Sequence, residues 1–180
     1  GPSTMDYGLF RRSLNNYQHN RFVTWLIKLF GEDVTAGLIG KYLIGTSKHW
    51  PGATVFWQVD AKGSLRTGKI MLYGDDGKRV KKPFNHITWA HSVVGSRQLT
   101  VGSLCRADTA NWKPATANFS LQQCLFGEHL LKEYPIAPVG IVESEKSAIV
   151  ASVYWPQLVW LAAGSLSNLN ADKCAVLKGR

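Results

Sequence analysis

The residue best placed to do chemistry is an isolated carboxylate that follows a short apolar run. Residues 139–142 predict a buried strand, Glu143 stands directly after it, and residues 145–154 have helical periodicity. Residues 158–163 supply a second apolar strand. Strand–helix–strand units of this kind form parallel sheets, and ligands bind at the carboxyl ends of their strands. Glu143 is therefore a candidate metal ligand or general base.

Lys146 is the second candidate, because it lies in the first turn of the predicted helix. A cation is electrostatically disfavoured there, since the N-terminus of a helix carries partial positive charge. Two interpretations stay open. Either the ammonium meets a phosphate, a nucleotide or Glu143, or it is an exposed lysine at small energetic cost.

A cluster of positive charge forms the third candidate. Four cations occur within residues 78–82, beside a predicted hairpin turn, and two more lie on the preceding strand. These six residues are Arg66, Lys69, Lys78, Arg79, Lys81 and Lys82. Trp57, Tyr73 and Trp89 share the predicted sheet, and basic side chains interleaved with aromatic rings suit single-stranded nucleic acid. We predict nucleic-acid contacts for the cations only, because sheet tryptophans usually belong to the core; a solvated hairpin tip is the alternative.

The elements that must position these residues predict an α+β fold. Residues 13–30 predict a helix that ends before Gly31 and whose apolar face carries Phe22, Trp25, Leu26 and Leu29. Residues 55–59 and 65–73 predict a β-hairpin, and residues 87–94 continue an antiparallel meander. The expected architecture is an N-terminal helix plus an antiparallel sheet, followed by an α/β unit with parallel strands.

The composition indicates a folded globular protein. The chain has 180 residues, of which 45% are hydrophobic and 18% charged, enough for one domain or two small ones. Its formal net charge of +9 favours polyanions as partners, and nucleic acid is the commonest of these in the cytoplasm. No apolar run approaches the roughly 18 residues of a membrane span, and no signal-peptide pattern follows Met5. We therefore expect a cytoplasmic protein without a membrane partner.

Several other classes of site are not supported by the sequence. The three cysteines, Cys105, Cys124 and Cys174, are far apart, which argues against a zinc ribbon or a disulfide framework. A Walker-type phosphate loop and a dinucleotide glycine fingerprint are both absent. This absence argues against an ATPase motor and a dehydrogenase.

Residues 141–148, Ile-Val-Glu-Ser-Glu-Lys-Ser-Ala, resemble the first motif of toprim domains, in which a strand-end glutamate begins an E-G-E-K-x-A type turn. The similarity is to the toprim domains of phage, plasmid and mobile-element primases. Residues 42–47, 55–63 and 67–73 resemble the β-rich segment before toprim in bacterial-type primases, and residues 122–131 resemble the short helix that leads into it.

The resemblance implies a primase-type nucleotidyltransferase that synthesises primers on single-stranded DNA with Mg²⁺ and nucleotides. Glu143 matches the family's glutamate, which acts as an acid/base or as a metal ligand beside a later Asp-x-Asp. This sequence has no Asp-x-Asp after Leu166. We therefore expect a chain cut before its metal-binding acids, with an incomplete metal site at Glu143, no firmly bound cofactor of its own, and nucleic-acid binding without polymerisation.

We expect residues 1–5 to be a cloning scar, residues 6–120 to be a helical and β-rich primase-core-like subdomain, and residues 121–180 to be a partial toprim-like subdomain. Expected partners are single-stranded DNA, a helicase or other replication protein, and a second copy paired through an exposed sheet edge. The alternative is a non-catalytic single-stranded nucleic-acid-binding or accessory module of a mobile element.

Overall fold

A computed structural model describes residues 5–93 and 122–180. The first part begins with three helices and continues into an antiparallel sheet, and the second contains a parallel strand–helix–strand unit. The fold class is α+β, as the sequence predicts. The linker or substrate-facing loop expected at residues 95–120 lies outside the described residues.

Three helices come first: α1 (Tyr7–Ser13), α2 (Arg21–Phe30) and α3 (Glu32–Tyr42). The helix predicted over residues 13–30 starts too early, because α2 begins only after Asn20. The side-chain oxygen of Asn20 accepts a hydrogen bond from the Val23 amide (3.1 Å), and its side-chain amide donates to the Gly45 carbonyl (3.1 Å). This N-cap satisfies a free N–H group of the helix and ties α2 to the sheet.

Four antiparallel strands follow, in spatial order β1 (Ile44–Ser47), β2 (Ala53–Val59), β3 (Leu65–Met71) and β4 (Ile87–Trp89). Strand β2 is buried along its length, and its Phe56 pairs with Ile44 on one side and Lys69 on the other. The predicted meander is confirmed in its strand order, but its last strand is shorter than the expected residues 87–94, because β4 ends at Trp89 and residues 90–93 are helical. Because consecutive strands are antiparallel, the β1–β2 turn and the β3–β4 connection lie at one end of the sheet and the β2–β3 turn at the other.

The second part contains α4 (Leu130–Glu133), β5 (Val139–Val142), α5 (Glu145–Tyr154), β6 (Val159–Ala162) and α6 (Ala171–Cys174). Strands β5 and β6 are parallel, with Val139 beside Val159, which confirms the predicted parallel unit. On its other side, β6 forms an antiparallel bridge between Ala162 and Phe126. Within the described ranges, no strand pairs with the outer edge of β5.

One apolar core joins the two parts. Phe22 of α2 meets Phe56 edge to face, with ring centroids 5.2 Å apart, and Phe56 meets Phe126 at 5.7 Å. Tyr42 stacks on Phe126 at 5.3 Å, and its hydroxyl donates to the Trp160 carbonyl (3.1 Å). The division proposed at residue 120 stays a prediction, and this core contains side chains from both sides of it.

A second apolar cluster covers the other face of the antiparallel sheet, beneath α1. Trp57 at its centre is 1% exposed, packs edge to face on Phe10 and donates its indole N–H to the Ser13 hydroxyl (2.8 Å). Trp57 is therefore a core residue, consistent with its exclusion from the predicted nucleic-acid contacts. In the part of the chain that the structure describes, no helix is long and apolar enough to span a membrane.

Candidate functional site

Glu143 lies directly after the carboxyl end of β5, where the sequence places it. Its carbonyl oxygen accepts a hydrogen bond from the amide of Gly164 (2.8 Å), which follows β6, so the two strand ends share one edge. The Glu143 carboxylate is exposed and has no ion-pair or hydrogen-bond partner among residues 5–93 and 122–180. The parallel topology that places ligands at such an edge is therefore present.

The described residues alone do not build a magnesium site around Glu143. No group of three or more His, Cys, Asp or Glu side chains within them could hold a metal ion. Mg²⁺ requires several hard oxygen ligands in octahedral geometry. Glu145, the nearest acid in the sequence, is engaged in an ion pair with Lys69. This donor set does not fit Mg²⁺.

The buried acid at this edge is Glu145, which the sequence interpretation passes over in favour of Glu143. Glu145 is 1% exposed, and its Oε1 lies 3.2 Å from Nζ of Lys69 on β3. Lys69 is also buried, and its ammonium donates to the Gly164 carbonyl (2.8 Å). A phosphate contact from Lys69 would require this ion pair to open, because the ammonium is buried against the Glu145 carboxylate and the Gly164 carbonyl.

Lys146 contacts the antiparallel part of the fold. Its Nζ donates to the Gly77 carbonyl (2.7 Å) and lies 5.0 Å from the ring centroid of Trp25 and 6.0 Å from that of Tyr73. Burial lowers the pKa of Lys146, while the charge of Asp76 opposes that shift. The ammonium therefore has intramolecular partners and holds the turn that precedes residues 78–82.

Arg66 is paired at the β2–β3 turn, at the end of the sheet opposite the β3–β4 connection. Its Nη2 lies 2.6 Å from Oδ2 of Asp60, and its Nε donates to the same oxygen (2.8 Å). The amides of Lys62 and Ser64 donate to Oδ1 of Asp60 (2.9 and 2.8 Å). Burial is the largest single influence and raises the pKa of Asp60, but the hydrogen bonds and the charge of Arg66 together bring it below its ordinary value.

The remaining predicted contacts, Lys78, Arg79, Lys81 and Lys82, are all exposed on the β3–β4 connection. We call residues 78–82 the cationic loop. Its backbone is held in place because the Val80 amide donates to the Leu72 carbonyl (2.9 Å) and the Val80 carbonyl accepts from the His86 amide (3.2 Å). Asp76 forms an exposed pair with Lys78 at 3.7 Å. The loop thus displays positive charge on an ordered frame.

An aromatic cluster at the same end of the sheet was not identified from the sequence. Trp50 comes from the β1–β2 turn, and Phe84 and His86 come from the β3–β4 connection. Phe84 stacks on His86 with ring centroids 4.2 Å apart, and the Trp50 ring lies 5.1 Å from His86 and 6.4 Å from Phe84. We call these three residues the aromatic platform. The sequence could have indicated it only through the strand order, which places the β1–β2 turn and the β3–β4 connection at the same end of the sheet.

A cleft of about 400 Å³ lies beside α5 and the parallel strands. Most of its lining is apolar, and its residues include Trp25, Val142, Lys146, Tyr154, Trp155 and Trp160. Lys146 is its charged group, and the Gly77 carbonyl already engages that ammonium. The cleft is therefore mainly an aromatic surface.

Two comparisons with curated proteins give distant similarity. The chain is 27% identical over 113 residues to the "Probable exopolygalacturonase C" of Neosartorya fischeri. The aligned segment covers 60% of this chain and 25% of that protein. It is also 27% identical over 110 residues to the protein of the same name from Aspergillus fumigatus, with the same coverage of 60% and 25%. The chain thus spans about a quarter of the length of these relatives. No solved structure matches it significantly.

A protein-family model gives the more extensive match. It covers residues 20–180, and so includes every element from α2 onward, the cationic loop and the β5–α5–β6 unit. The matched family is described as a domain of unknown function, DUF6371. On that match the chain belongs to the DUF6371 family.

Proposed function

We propose that this chain is a nucleic-acid-binding module whose cationic loop contacts phosphates. The observation that carries the proposal is the set of four exposed cations within residues 78–82, on a backbone that hydrogen bonds hold in place. Lysine and arginine side chains that neutralise phosphates release condensed counterions, which supplies most of the sequence-independent affinity for nucleic acid. The net charge of +9 adds long-range attraction.

The toprim-like motif at residues 141–148 supports a place in replication, within a primase-like protein. The complete protein would synthesise primers on single-stranded DNA with Mg²⁺ and nucleotides, in the cytoplasm and beside a helicase or other replication protein. Glu143 would serve as acid/base or metal ligand together with further acids. The parallel pairing of β5 and β6, with Glu143 at the carboxyl end of β5, is the observation in favour.

The second candidate is a non-catalytic single-stranded nucleic-acid-binding or accessory module. It is favoured by the engagement of Glu145 with Lys69, which leaves Glu143 as a lone carboxylate at the strand edge in the described parts of the chain. Pairing of two copies through the outer edge of β5 is compatible with both candidates, because no strand among the described residues pairs with that edge. Sedimentation analysis tests the pairing.

The similarity to exopolygalacturonases does not support a polygalacturonase activity for this chain. The sequence identity to the exopolygalacturonases is only 27%, and the aligned segment covers only 25% of those proteins. The described residues provide no separate geometric argument for sugar hydrolysis.

Fluorescence anisotropy with a labelled oligonucleotide over a salt series tests the proposal. The variant Lys78→Gln/Arg79→Gln/Lys81→Gln/Lys82→Gln should bind more weakly, and its salt slope should fall by about 0.7 to 0.9 for each phosphate that is no longer neutralised. A matched variant removes four exposed charges elsewhere: Lys28→Gln, Lys62→Gln, Lys132→Gln and Lys178→Gln. Equal binding and equal salt slopes for the two variants would show that the loop has no special role.

A further inference from the structure

We propose that the aromatic platform stacks unpaired bases, so that the cationic loop and the platform together select single-stranded nucleic acid over duplex. This inference rests on the proposed nucleic-acid binding and adds the residues that would distinguish single-stranded from double-stranded nucleic acid. Trp50, Phe84 and His86 belong to two connections that meet at one end of the antiparallel sheet.

The platform combines an accessible ring with a fixed support. Phe84 is 54% exposed, although it is one of the large apolar side chains of the protein. The ring beneath it is His86, whose Nδ1 lies 3.2 Å from the Val80 carbonyl. Val80 and Trp50 pack against the apolar cluster on the α1 side of the sheet. A base that stacks on Phe84 would therefore meet a surface that is already ordered.

Positive charge borders the platform on both connections. Lys81 and Lys82 lie three and two residues before Phe84, so at no more than about 3.6 Å per residue their backbones are within about 11 Å of it. Lys48, which is also exposed, lies two residues before Trp50. Phosphates on either side of a stacked base would thus lie within reach of lysine side chains.

Stacking is the property that distinguishes the two kinds of ligand. A single strand offers the face of each base to an aromatic ring, and such contacts tolerate any sequence because every base has a π-face. In a duplex the base faces are already stacked on one another, so only the phosphates remain available to the cationic loop. The platform therefore adds affinity for single strands and none for duplex.

The test uses the full chain and three probes: a thymidine homopolymer, its uridine counterpart, and a duplex of the same length. Phe84→Leu keeps an apolar side chain but removes the π-face, and should weaken binding to the single strands about tenfold. Its duplex affinity and its salt slope should stay at wild-type values, because the phosphate contacts remain. Phe84→Trp should restore single-strand binding. Tyr134→Leu is the matched control, because Tyr134 is also half-exposed but directly follows α4. The amide of His129, directly before α4, donates to the Val59 carbonyl at the end of β2 opposite the platform.

The outcomes separate this inference from the proposed function. Wild-type binding of single strands by Phe84→Leu, or equal affinity of the wild-type chain for single strands and duplex, would overturn the stacking platform while leaving phosphate binding intact. Failure of the wild-type chain to bind any of the three probes would overturn both. Circular dichroism and urea unfolding of each variant exclude loss of the fold as the cause of weaker binding.

Discussion

The ammonium of Lys69 lies 3.2 Å from Oε1 and 3.3 Å from Oε2 of Glu145, which is 76 residues further along the chain. The same ammonium donates to the Gly164 carbonyl after β6 (2.8 Å). One side chain thus joins β3 to the first turn of α5 and to the end of the parallel pair. Because both partners are buried, the desolvation cost of each charge is offset only while the other remains in place.

Lys69→Met should lower the free energy of unfolding by about 3 to 5 kcal/mol, because it leaves the Glu145 carboxylate buried without its partner. Replacing both charges, in Lys69→Met/Glu145→Leu, should recover most of that loss, since an apolar pair of similar volume needs no hydration. Urea unfolding of the two variants measures both values. If the free energy of unfolding of Lys69→Met lay within about 1 kcal/mol of the wild-type value, the pair would have to be exposed to water in solution.

The sequence is most informative where a local pattern determines the structure. The apolar runs at residues 139–142 and 158–163 flank a periodic segment, and this pattern alone predicts a parallel unit with Glu143 after its first strand. The hairpin around residues 60–64 is predictable for the same reason, because Gly63 supplies the positive φ that the turn requires.

The sequence is least informative where a contact joins distant segments. Nothing near Lys69 in the chain indicates that its partner is Glu145, so its sequence context predicts a surface cation. The start of α2 depends on Asn20, whose amide reaches Gly45 on another element. The aromatic platform depends on two connections that only the sheet brings together. These features follow from tertiary packing, which local periodicity does not encode.

Asp60→Asn should destabilise the fold by about 1.5 to 3 kcal/mol, because hydrogen bonds to a charged group are lost or weakened. The pKa of Asp60 is lowered in the fold, so the stability that its ionised form contributes is present above the ordinary value of 3.8 and is lost as the pH falls through the folded-state pKa. The difference in free energy of unfolding between wild type and Asp60→Asn should therefore shrink only below about pH 3.8.

Asp75→Asn is the matched control for this prediction. Asp75 also pairs with an arginine, Arg21, but at 3.6 Å, and both side chains are exposed. Its loss should cost no more than about 1 kcal/mol, since solvent screens exposed pairs. Chemical unfolding across a pH series compares the two variants, and equal losses would contradict the role assigned to the buried carboxylate.

His129→Gln should flatten the dependence of stability on pH in mildly acidic solution. Nε2 of His129 lies 2.9 Å from the Lys41 carbonyl, and Nδ1 is buried without a hydrogen-bond partner among the described residues. Burial lowers the pKa of His129, because the charged form would place a second N–H group where it has no acceptor. For wild type, the free energy of unfolding should fall as the pH drops below the ordinary value of 6.5 toward the lowered folded-state pKa. Identical pH slopes for wild type and variant would contradict this.

Gly77→Ala should destabilise the fold more than Gly63→Ala, although both glycines have positive φ (+72° and +86°). A Cβ at Gly77 would overlap the Trp25 ring, whereas at Gly63 it would meet nothing within 4 Å. Backbone strain costs about 1 to 2 kcal/mol at either position, and the overlap should add about 1 to 3 kcal/mol at Gly77. Urea unfolding of each variant in the wild-type and Trp25→Ala backgrounds separates the two effects. With the Trp25 ring removed, Gly77→Ala should cost no more than Gly63→Ala, and a persistent difference would place its cause in the backbone instead.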